Sequence, residues 1–515
     1  MSPRRRLGRE QALSDKRRGL AKRSLAGMLW TALSMGALAI SEALALVVLA
    51  RLLSPNEFGL YAAALVVIKF TVIFEGLGLG PAIVQRPSIE ERHLRVGFTL
   101  SLLLSFLTAG TIWLIAPVIA AFLRLAELAP VVRGASVVFI CYGLSMVAQA
   151  MAQRALRFRW LAGIDACAFA IGFVVIGPLL AWYSFGVWAL VGALVTQHFT
   201  RTVLLLIGQP HPKRPLLERK AIADLLFFGG GFTLARVCNF LAGQVDKLIV
   251  GRFLGAQALG LYALASQLMT APAVIFGQIL DRVLFPTMAL VQQEQSRLAR
   301  AYRSGVAACA LFTMPAGVIL AIIAPELVFV LLGNGWEGVV VPFQILALGM
   351  FFRTSHKLSD TIARATGAVY ARAWRQAVFA IAIAVGSLIG QLWGLPGVVL
   401  GVIAGVATNY FFMAQLSLVL TGMSWSDFAR AHAPGMALAS ALGFIVWAVV
   451  THLRVLEISA IVVLIDVTML SIILSLSLCW LLPTLFLGDD GRSAVRVLST
   501  LMPSWLRQRP SCPDI

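Results

Sequence analysis

The sequence predicts an all-α polytopic membrane protein, and three observations lead to that fold class. Of the 515 residues, 59% are hydrophobic and 13% are charged, with a mean hydropathy of +0.88, whereas soluble domains carry about 25% charged residues. Long apolar runs recur from end to end, and Lys and Arg cluster between alternate pairs of runs. One short corner of the chain is also present twice, which indicates a duplicated half.

About fourteen apolar runs are long enough to cross a hydrocarbon core of about 30 Å as helices. Backbone groups in lipid must bond within their own segment, so these runs can span only as helices. We expect residues 229–231 and the prolines Pro117, Pro178 and Pro315 to break some of them. The predicted spans are 24–50, 58–82, 97–123, 129–152, 162–183, 186–208, 222–252, 258–285, 305–332, 340–364, 373–393, 396–420, 433–453 and 457–485.

The basic residues predict the orientation, because Lys and Arg are enriched in cytoplasmic loops. The tail before the first span and alternate loops after it are rich in Lys and Arg, whereas the loops at 184–186 and 394–396 hold no charge. Both termini are therefore expected to face the cytoplasm. The basic loops contain Arg86, Arg92, Arg95, Arg154, Arg157, Arg159, Lys213, Arg214, Arg219, Lys220, Arg297, Arg300, Arg303, Arg372 and Arg375.

The net charge of +19 and the pI near 10.6 do not indicate a nucleic-acid partner. Most basic residues flank the spans, where topology and anionic headgroups account for them. Membrane lipid is thus an expected partner and nucleic acid is not. The six cysteines are scattered without metal-ligand or redox spacing, so neither a metal nor another cofactor is expected.

The repeated corner divides the chain. "RLLSPNEFGLYAAA" at 51–64 and "RFLGAQALGLYALA" at 252–265 share half of their residues, including Gly-Leu-Tyr at 59–61 and at 260–262. Each copy joins the first and second helices of a six-helix unit. Because six is even, both copies lie on the outer side and the two units share one orientation, as in transporters with parallel repeats.

Several stretches resemble the polysaccharide transporter family of bacterial oligosaccharide flippases. They include "GLGLGPAIVQR", "QRALRFRWLAGID", "QVDKLIVGRFLGAQALGLYALASQLM" and "VLLGNGWEGVVVPFQILALG", and the resemblance extends from about residue 25 to 420. That family shares a superfamily with multidrug and toxin extrusion proteins and the lipid II flippase. The resemblance implies two six-helix lobes around a central cavity, two peripheral helices, and transfer of undecaprenyl-diphosphate-linked glycan across the inner membrane for O-antigen, capsule or exopolysaccharide synthesis.

These features together predict the domain organisation. A basic cytoplasmic tail at 1–23 precedes an N-terminal six-helix lobe at 24–209 and a cytoplasmic linker at 210–221. A C-terminal six-helix lobe at 222–420 is followed by two peripheral transmembrane helices at 421–486 and a cytoplasmic tail at 487–515. Polysaccharide synthesis proteins are candidate partners of the tails.

Charged residues within the spans are the candidate functional groups, because ionisable side chains in a membrane usually face the bundle interior or a watery cavity. On the seventh span, residues at 3.6-residue spacing form one polar face. The two corners begin 201 residues apart, at 51 and 252, and the same offset relates residue 42 to residue 243. Glu42 of the first span is therefore the counterpart of Gly243 of that face. The face contains Arg236, Asn239, Gly243, Asp246 and Lys247.

A diphosphate needs cations in a place of low dielectric, and Lys69, Arg236 and Arg353 are the predicted substrate-binding residues. Glu42 and Asp246 are candidates for coupling to a proton or sodium ion, since a carboxylate in a partly dry cleft can have a raised pKa. The alternative role is an ion pair that holds helices together. Glu42 could pair with Lys69, and Arg353, His356, Asp360 and Arg364 form one stripe on the tenth span.

Two other functions stay open on the sequence. "VDKLIVGRFLG" also resembles the seventh helix of multidrug extrusion proteins, which would make the chain a cation-coupled antiporter. A membrane-bound polysaccharide polymerase or ligase is the more distant alternative, because such enzymes need catalytic groups in a sizeable outer loop and the predicted outer loops are short. We therefore expect a transporter rather than an enzyme. For Glu75, Asp165 and Asp466 a structural role is expected.

Overall fold

The computed structural model describes residues 41–75, 78–86, 88–219, 222, 240, 243–269, 288, 294–486 and 488. In this part of the chain the regular structure is helical, and ten helical segments are long and apolar enough to cross a membrane, or up to eleven if a pair bent by 41° counts as one span. Ten of the fourteen predicted spans coincide with described helices. The spans 24–50, 58–82, 222–252 and 258–285 lie partly outside the described residues, so the total of fourteen stays a prediction.

The helices before residue 210 follow the predicted spans closely. A π-helical stretch, Ala170–Ile176, connects α7 to α8 where the chain approaches Pro178. In chain order these helices are α1 (41–52), α2 (Pro55–Glu75), α3 (Leu79–Gln85), α4 (Glu91–Leu123), α5 (Leu128–Ala135), α6 (Val137–Arg154), α7 (Phe158–Phe169), α8 (Gly177–Trp182) and α9 (Val187–Gly208).

The later helices are α10 (Gly243–Met269), α11 (Gln295–Ile322), α12 (Ala324–Leu332), α13 (Val340–Leu348), α14 (Met350–Ala365), α15 (Val369–Gly390), α16 (Gly394–Thr421), α17 (Trp425–Val455), α18 (Ala460–Leu481) and α19 (Pro483–Phe486). Two pairs of long helices pack on each other, α15 with α16 and α11 with α17. Helices α13 and α14 form a third pair, which meets at a bend.

The expectation that proline breaks the spans is wrong at two positions. Helix α4 continues through Pro117, and α11 continues through Pro315. A proline removes one backbone hydrogen bond, but membrane helices accommodate this loss through neighbouring helices and local adjustment of the turn. Near Pro178 the chain does change, from the π-helical turn to α8, as a π-bulge allows when a proline interrupts the bonding pattern. Residues 229–231 lie outside the described residues.

The chain forms two compact units. The first contains the described parts of Met1–Leu53, Val67–Ala116 and Pro130–Leu234. Within it α6 packs against α3 and α9, and Gly143 of α6 lies so close to α4 that a Cβ atom there would be 2.2 Å from Ser105 Oγ. The second unit contains Ser54–Val66, Pro117–Ala129 and the described part of Ala235–Ile515. The predicted lobe boundaries at 24–209 and 222–420 stay a prediction.

In the second unit, α15 and α16 are packed backbone to backbone through glycines. A Cβ atom on Gly401 would lie 2.0 Å from the carbonyl oxygen of Gly386, and one on Gly390 would lie 2.2 Å from that of Gly397. Small residues let membrane helices approach this closely and gain van der Waals contact. The helices predicted to be peripheral also belong to this unit: Gly435 of α17 lies against Ala310 of α11, and α18 packs on α17 and α12.

Gly401→Ala is expected to destabilise the protein by about 1 to 3 kcal/mol, because the new methyl group overlaps the facing backbone. Gly110→Ala is the matched control, since no atom lies within 4 Å of the position of the new Cβ. Thermal unfolding of the two purified variants in detergent measures the difference. Equal midpoints for the two variants would contradict the tight packing of α15 on α16.

Candidate functional site

The candidate site is built around Asp246 on α10. Its carboxylate is 8% exposed and accepts a hydrogen bond from the Tyr262 hydroxyl at Oδ2. Asp246 and Tyr262 are 16 positions apart, and in a straight helix their Cα atoms would be separated by about 24 Å. Helix α10 must therefore fold back between them, and Gly255, with φ of +85°, supplies the left-handed conformation in the second copy of the repeated corner.

Lys247 adds a cation beside this carboxylate. Its backbone N–H donates to Asp246 Oδ1 at 2.9 Å, and its Nζ donates to Gln244 Oε1 at 3.0 Å. The ammonium group also interacts electrostatically with Asp246 and with Arg353 of α14. Asp246, Lys247 and Arg353 thus form one charged cluster with Tyr262, and we call these four residues the α10–α14 cluster.

The bend between α13 and α14 positions Arg353. The two helices meet at Gly349 with an angle of 41°. A Cβ atom on Gly349 would lie 2.2 Å from Ile403 Cδ1, so the close approach to α16 favours glycine at the bend. Arg353 follows one turn later, and within the described residues no carboxylate forms an ion pair with its guanidinium. Arg353 is therefore a partly buried cation of the α10–α14 cluster that forms no ion pair among the described residues.

The stripe predicted on α14 divides into two parts. Arg353 and His356 lie near the α10–α14 cluster, and the His356 ring bonds to the Phe352 carbonyl at 3.3 Å. At the other end of the helix, Asp360 pairs with Arg364 at 3.2 Å and with Arg372 of α15. A rise of 1.5 Å per residue separates Arg353 from Arg364 by about 16 Å. The ion-paired end is structural, which leaves Arg353 as the functional candidate of the stripe.

The other predicted site residues lie elsewhere. Glu42 on α1 and Lys69 on α2 are exposed side chains of the first unit. Arg236 lies outside the described residues. Of the five predicted site residues, the structure thus brings Asp246 and Arg353 together, and the substrate or ion roles of all five stay predictions.

Two further half-buried polar groups in the first unit have structural partners. Arg201 Nε donates to Asp165 Oδ1 at 2.7 Å, and its Nη1 donates to Gln149 at 3.3 Å. This ion pair agrees with the structural role expected for Asp165. His198 contacts the Tyr142 hydroxyl at 3.0 Å through Nε2.

Sequence reasoning did not assign Tyr262, the partner of Asp246. Tyr262 was visible only as a residue shared with Tyr61 in the repeated corner, where it indicated a duplication. The informative difference lies at the partner position. With the repeat offset of 201 (252 minus 51), Asp246 corresponds to Ala45, so only the second repeat has a carboxylate for its tyrosine.

Tyr262→Phe is expected to lower the free energy of unfolding by about 1 to 3 kcal/mol, because the buried Asp246 carboxylate loses its hydroxyl donor. The repeat offers a matched control in Tyr61→Phe, where the corresponding partner position is Ala45 and little change is expected. Thermal unfolding of the two variants in detergent, at one protein and detergent concentration, makes the comparison. An effect at Tyr61 as large as that at Tyr262 would show that the hydroxyl of Tyr262 is not specially used.

Comparison with known proteins identifies the family. Residues 48–341 match the family described as polysaccharide biosynthesis protein. The chain belongs to this family. It is 25% identical over 406 residues to the lipopolysaccharide biosynthesis protein WzxC of Escherichia coli K12, covering 77% of this chain and 82% of WzxC. The teichuronic acid biosynthesis protein TuaB of Bacillus subtilis 168 is 24% identical over 384 residues, which cover 73% of this chain and 79% of TuaB.

A third relative has transport in its name. The succinoglycan biosynthesis transport protein ExoT of Rhizobium meliloti 1021 is 27% identical over 301 residues, covering 58% of this chain and 61% of ExoT. These relatives and the apolar helices make this family member a multi-pass membrane protein of polysaccharide biosynthesis. The expected resemblance to the polysaccharide transporter family is thereby confirmed.

Solved structures show the same fold at low sequence identity. The lipid II flippase MurJ in its inward closed conformation superposes with a TM-score of 0.68 at 12% identity, covering 85% of this chain and 98% of MurJ. An inward-facing multidrug resistance transporter of the MATE family gives a TM-score of 0.58 at 13% identity, with 75% of this chain and 95% of that chain covered. The all-α membrane fold class is confirmed.

Proposed function

We propose that this protein is a flippase that moves undecaprenyl-diphosphate-linked oligosaccharide across the bacterial inner membrane, for synthesis of a surface polysaccharide. The observation that carries the proposal is the α10–α14 cluster, in which Arg353 and Lys247 place two cations beside one buried carboxylate. The family and its members named for lipopolysaccharide, teichuronic acid and succinoglycan biosynthesis support a lipid-linked glycan as the substrate.

The cations of the cluster suit a diphosphate. A guanidinium offers planar, paired donors to phosphate oxygens, and such charge-assisted hydrogen bonds are strong where water is scarce. Arg353 lacks a described ion-pair partner and is thus available to an anion. Lys247 is held by Gln244 and would add a second positive charge. Lys69 and Arg236 stay proposed contributors on the basis of the sequence.

The lipid part of the substrate has a matching surface near Arg353. An apolar cavity of about 470 Å³ lies in the second unit, between α11, α13, α14 and α17. Its walls include Phe352, the residue before Arg353, and Met314 and Met436. Flexible methionines adapt to irregular apolar chains. An isoprenoid segment in this cavity would leave the diphosphate close to the helix that carries Arg353.

Coupling to an ion is proposed for the carboxylates. Asp246 is buried and its two oxygens accept from Tyr262 and from the Lys247 backbone, so a proton or sodium ion bound there would change the local charge balance. Glu42 is the corresponding proposal in the first unit. Alternating exposure of the site by movement of the two parallel repeats would complete the transport cycle. In this proposal the protein has no enzymatic step, and both termini face the cytoplasm.

Deletion of the gene tests the proposal in cells. We expect loss of surface polysaccharide and accumulation of undecaprenyl-linked units on the cytoplasmic face, with rescue by the wild-type chain but not by Arg353→Ala or Arg236→Ala at matched expression. An unchanged polysaccharide together with altered sensitivity to cationic drugs would overturn the proposal in favour of the multidrug antiporter. The excess of cations over carboxylates in the α10–α14 cluster disfavours that antiporter, since a net positive charge repels an organic cation.

A further inference from the structure

The two copies of the repeated corner cross each other through residues 54–64 and 252–265, which lie in the second unit. The contact is between backbones. A Cβ atom on Gly59 would lie 1.7 Å from the carbonyl oxygen of Ala256, and one on Gly260 would lie 1.9 Å from that of Pro55. No side chain can occupy either position without moving one corner away from the other.

This crossing is symmetric in the repeat. Ala256 is the counterpart of Pro55, and Gly260 is the counterpart of Gly59, because both pairs differ by 201 (256 minus 55, and 260 minus 59). Gly59 contacts Ala256, and Gly260 contacts Pro55. The two contacts are therefore equivalent under the repeat. This reciprocity is the signature of a two-fold contact between equal surfaces, formed here between two parts of one chain.

The two corners are built by different local devices. In the first corner, Ser54 and Glu57 form a capping box: Ser54 N–H donates to Glu57 Oε2 at 2.6 Å, and Glu57 N–H donates to Ser54 Oγ at 3.4 Å. The second corner uses Gly255 with φ of +85°. Because different residues build the two turns, the shared glycines serve the crossing rather than the turns.

A second contact lies beside the crossing. The Phe58 ring meets the edge of Trp336, with centroids 5.4 Å apart, and Trp336 is 1% exposed. Gly338 of the same loop faces Leu261, where a Cβ atom would lie 2.7 Å from Cδ1. Hydrogen bonds from the backbone N–H groups of Glu337 and Gly335 lower the pKa of the Glu337 carboxyl and hold this loop in a tight turn.

A third contact involves the end of α4. Arg252, the first residue of the second corner, donates through Nη1 to the carbonyl oxygen of Phe122 and lies 4.6 Å from the centroid of the Phe122 ring. The guanidinium thereby satisfies a carbonyl group that the helix end leaves without an intrahelical donor. Segments from both sequence repeats thus meet within the second unit through three separate contacts.

We infer that the Gly59–Gly260 crossing is the closure point on the predicted outer side, and that the missing side chains at these two positions permit the closed state. Smooth backbone surfaces can meet and separate without rotamer changes, whereas interlocked side chains resist separation. The inference rests on the proposed transport function for its purpose, but the closure itself is a property of the chain. It predicts that Gly59→Ala and Gly260→Ala, although far apart in sequence, weaken the closed state equally.

Spin labels at Asn56→Cys and Gln257→Cys measure the closure directly. These two residues are counterparts in the repeat, both are exposed, and each is a neighbour of a residue in the crossing. The labels are placed in a chain whose native cysteines are replaced and which keeps the unfolding midpoint of the wild-type protein in detergent. The distance distribution is recorded by pulsed electron resonance for the parent chain and for Gly59→Ala and Gly260→Ala. In each variant we expect the ratio of short to long distances to fall about tenfold.

Two controls separate closure from general damage. Gly401→Ala introduces the same kind of overlap in the α15–α16 pair, and Gly110→Ala introduces none. Both are expected to keep the parent distance distribution. An unchanged distribution in Gly59→Ala and Gly260→Ala, or a shift in only one of them, would overturn the inference. The distances are measured without substrate. If they shift as expected while deletion of the gene leaves the surface polysaccharide unchanged, the closure is supported and the proposed function fails.

Discussion

Arg353→Ala is expected to reduce transport of lipid-linked oligosaccharide by about 10- to 100-fold at equal amounts of folded protein. This range follows from the loss of charge-assisted hydrogen bonds to a diphosphate, worth about 1.5 to 3 kcal/mol. Arg353→Lys should be intermediate, because a lysine keeps the charge but loses the paired donors. The rate of appearance of surface polysaccharide after induction of the chain in the deletion strain measures the effect.

Arg430→Ala is the matched control for this prediction. Its side chain is 81% exposed and pairs with Asp427 only at 3.9 Å, so its removal should leave transport unchanged. Removing Arg353 also removes no described ion pair, so Arg353→Ala is expected to fold as the wild-type chain does. Normal transport by folded Arg353→Ala would contradict the assignment and direct attention to Lys69 and Arg236.

Glu326→Ala is expected to lower the free energy of unfolding by about 2 to 3 kcal/mol, the largest stability effect predicted for one side chain. Glu326 is 9% exposed at its side chain and accepts from Arg454 Nε at 2.7 Å and Nη2 at 2.9 Å, which joins α12 to α17. Removal of one partner leaves a charge without its counter-ion in a partly buried place. Arg454 keeps 42% exposure, so the effect falls below that of a fully buried pair.

The exposed pair Glu294–Arg297 supplies the control, because its side chains are 54% and 60% exposed and Glu294→Ala should change stability by less than about 1 kcal/mol. Replacement of both Glu326 and Arg454 by methionine should recover much of the loss, since an apolar pair avoids the unpaired charge. Unfolding midpoints in detergent distinguish the three variants. A double variant as unstable as Glu326→Ala would show that the ion pair itself stabilises the contact between α12 and α17, and that the unpaired charge is not the source of the loss.

Hydrophobic runs predicted most of the described helices because lipid imposes one spanning form on the backbone. The runs at 97–123 and 433–453 correspond to α4 and α17, with ends that differ by a few residues. Proline was a poor guide to the ends: Pro117 and Pro315 lie inside continuous helices. Membrane helices accommodate proline by adjustments that depend on their neighbours, and one sequence does not contain that information.

Periodicity located the site residues along each helix but not their partners. The spacing of Arg353, Asp360 and Arg364 on one face requires only the helical repeat, and α14 confirms it. The pairing of Asp360 with Arg372 depends on the turn at Gly367, which has φ of +71°. The pairing of Asp246 with Tyr262 likewise depends on the reversal at Gly255. Contacts between helices depend on such turns, whereas contacts within a helix follow from spacing.

The repeated corner shows how a sequence signal can be recognised before its use is known. The identical residues at 59–61 and 260–262 indicated a duplication and a shared orientation. Only the structure shows that the duplicated glycines face each other's corner. A pattern along one chain contains no distance between its copies, so the crossing could not follow from the repeat alone.

Transport in inverted membrane vesicles tests directly whether the chain flips lipid-linked oligosaccharide. Undecaprenyl-diphosphate-linked oligosaccharide is presented on the outer face, which corresponds to the cytoplasm, and its glycan is challenged at intervals with a membrane-impermeant glycosidase. We expect the protected fraction to grow with time in vesicles that contain the wild-type chain and to stay near the background in those with Arg353→Ala. Equal protection in vesicles with and without the chain would contradict this expectation.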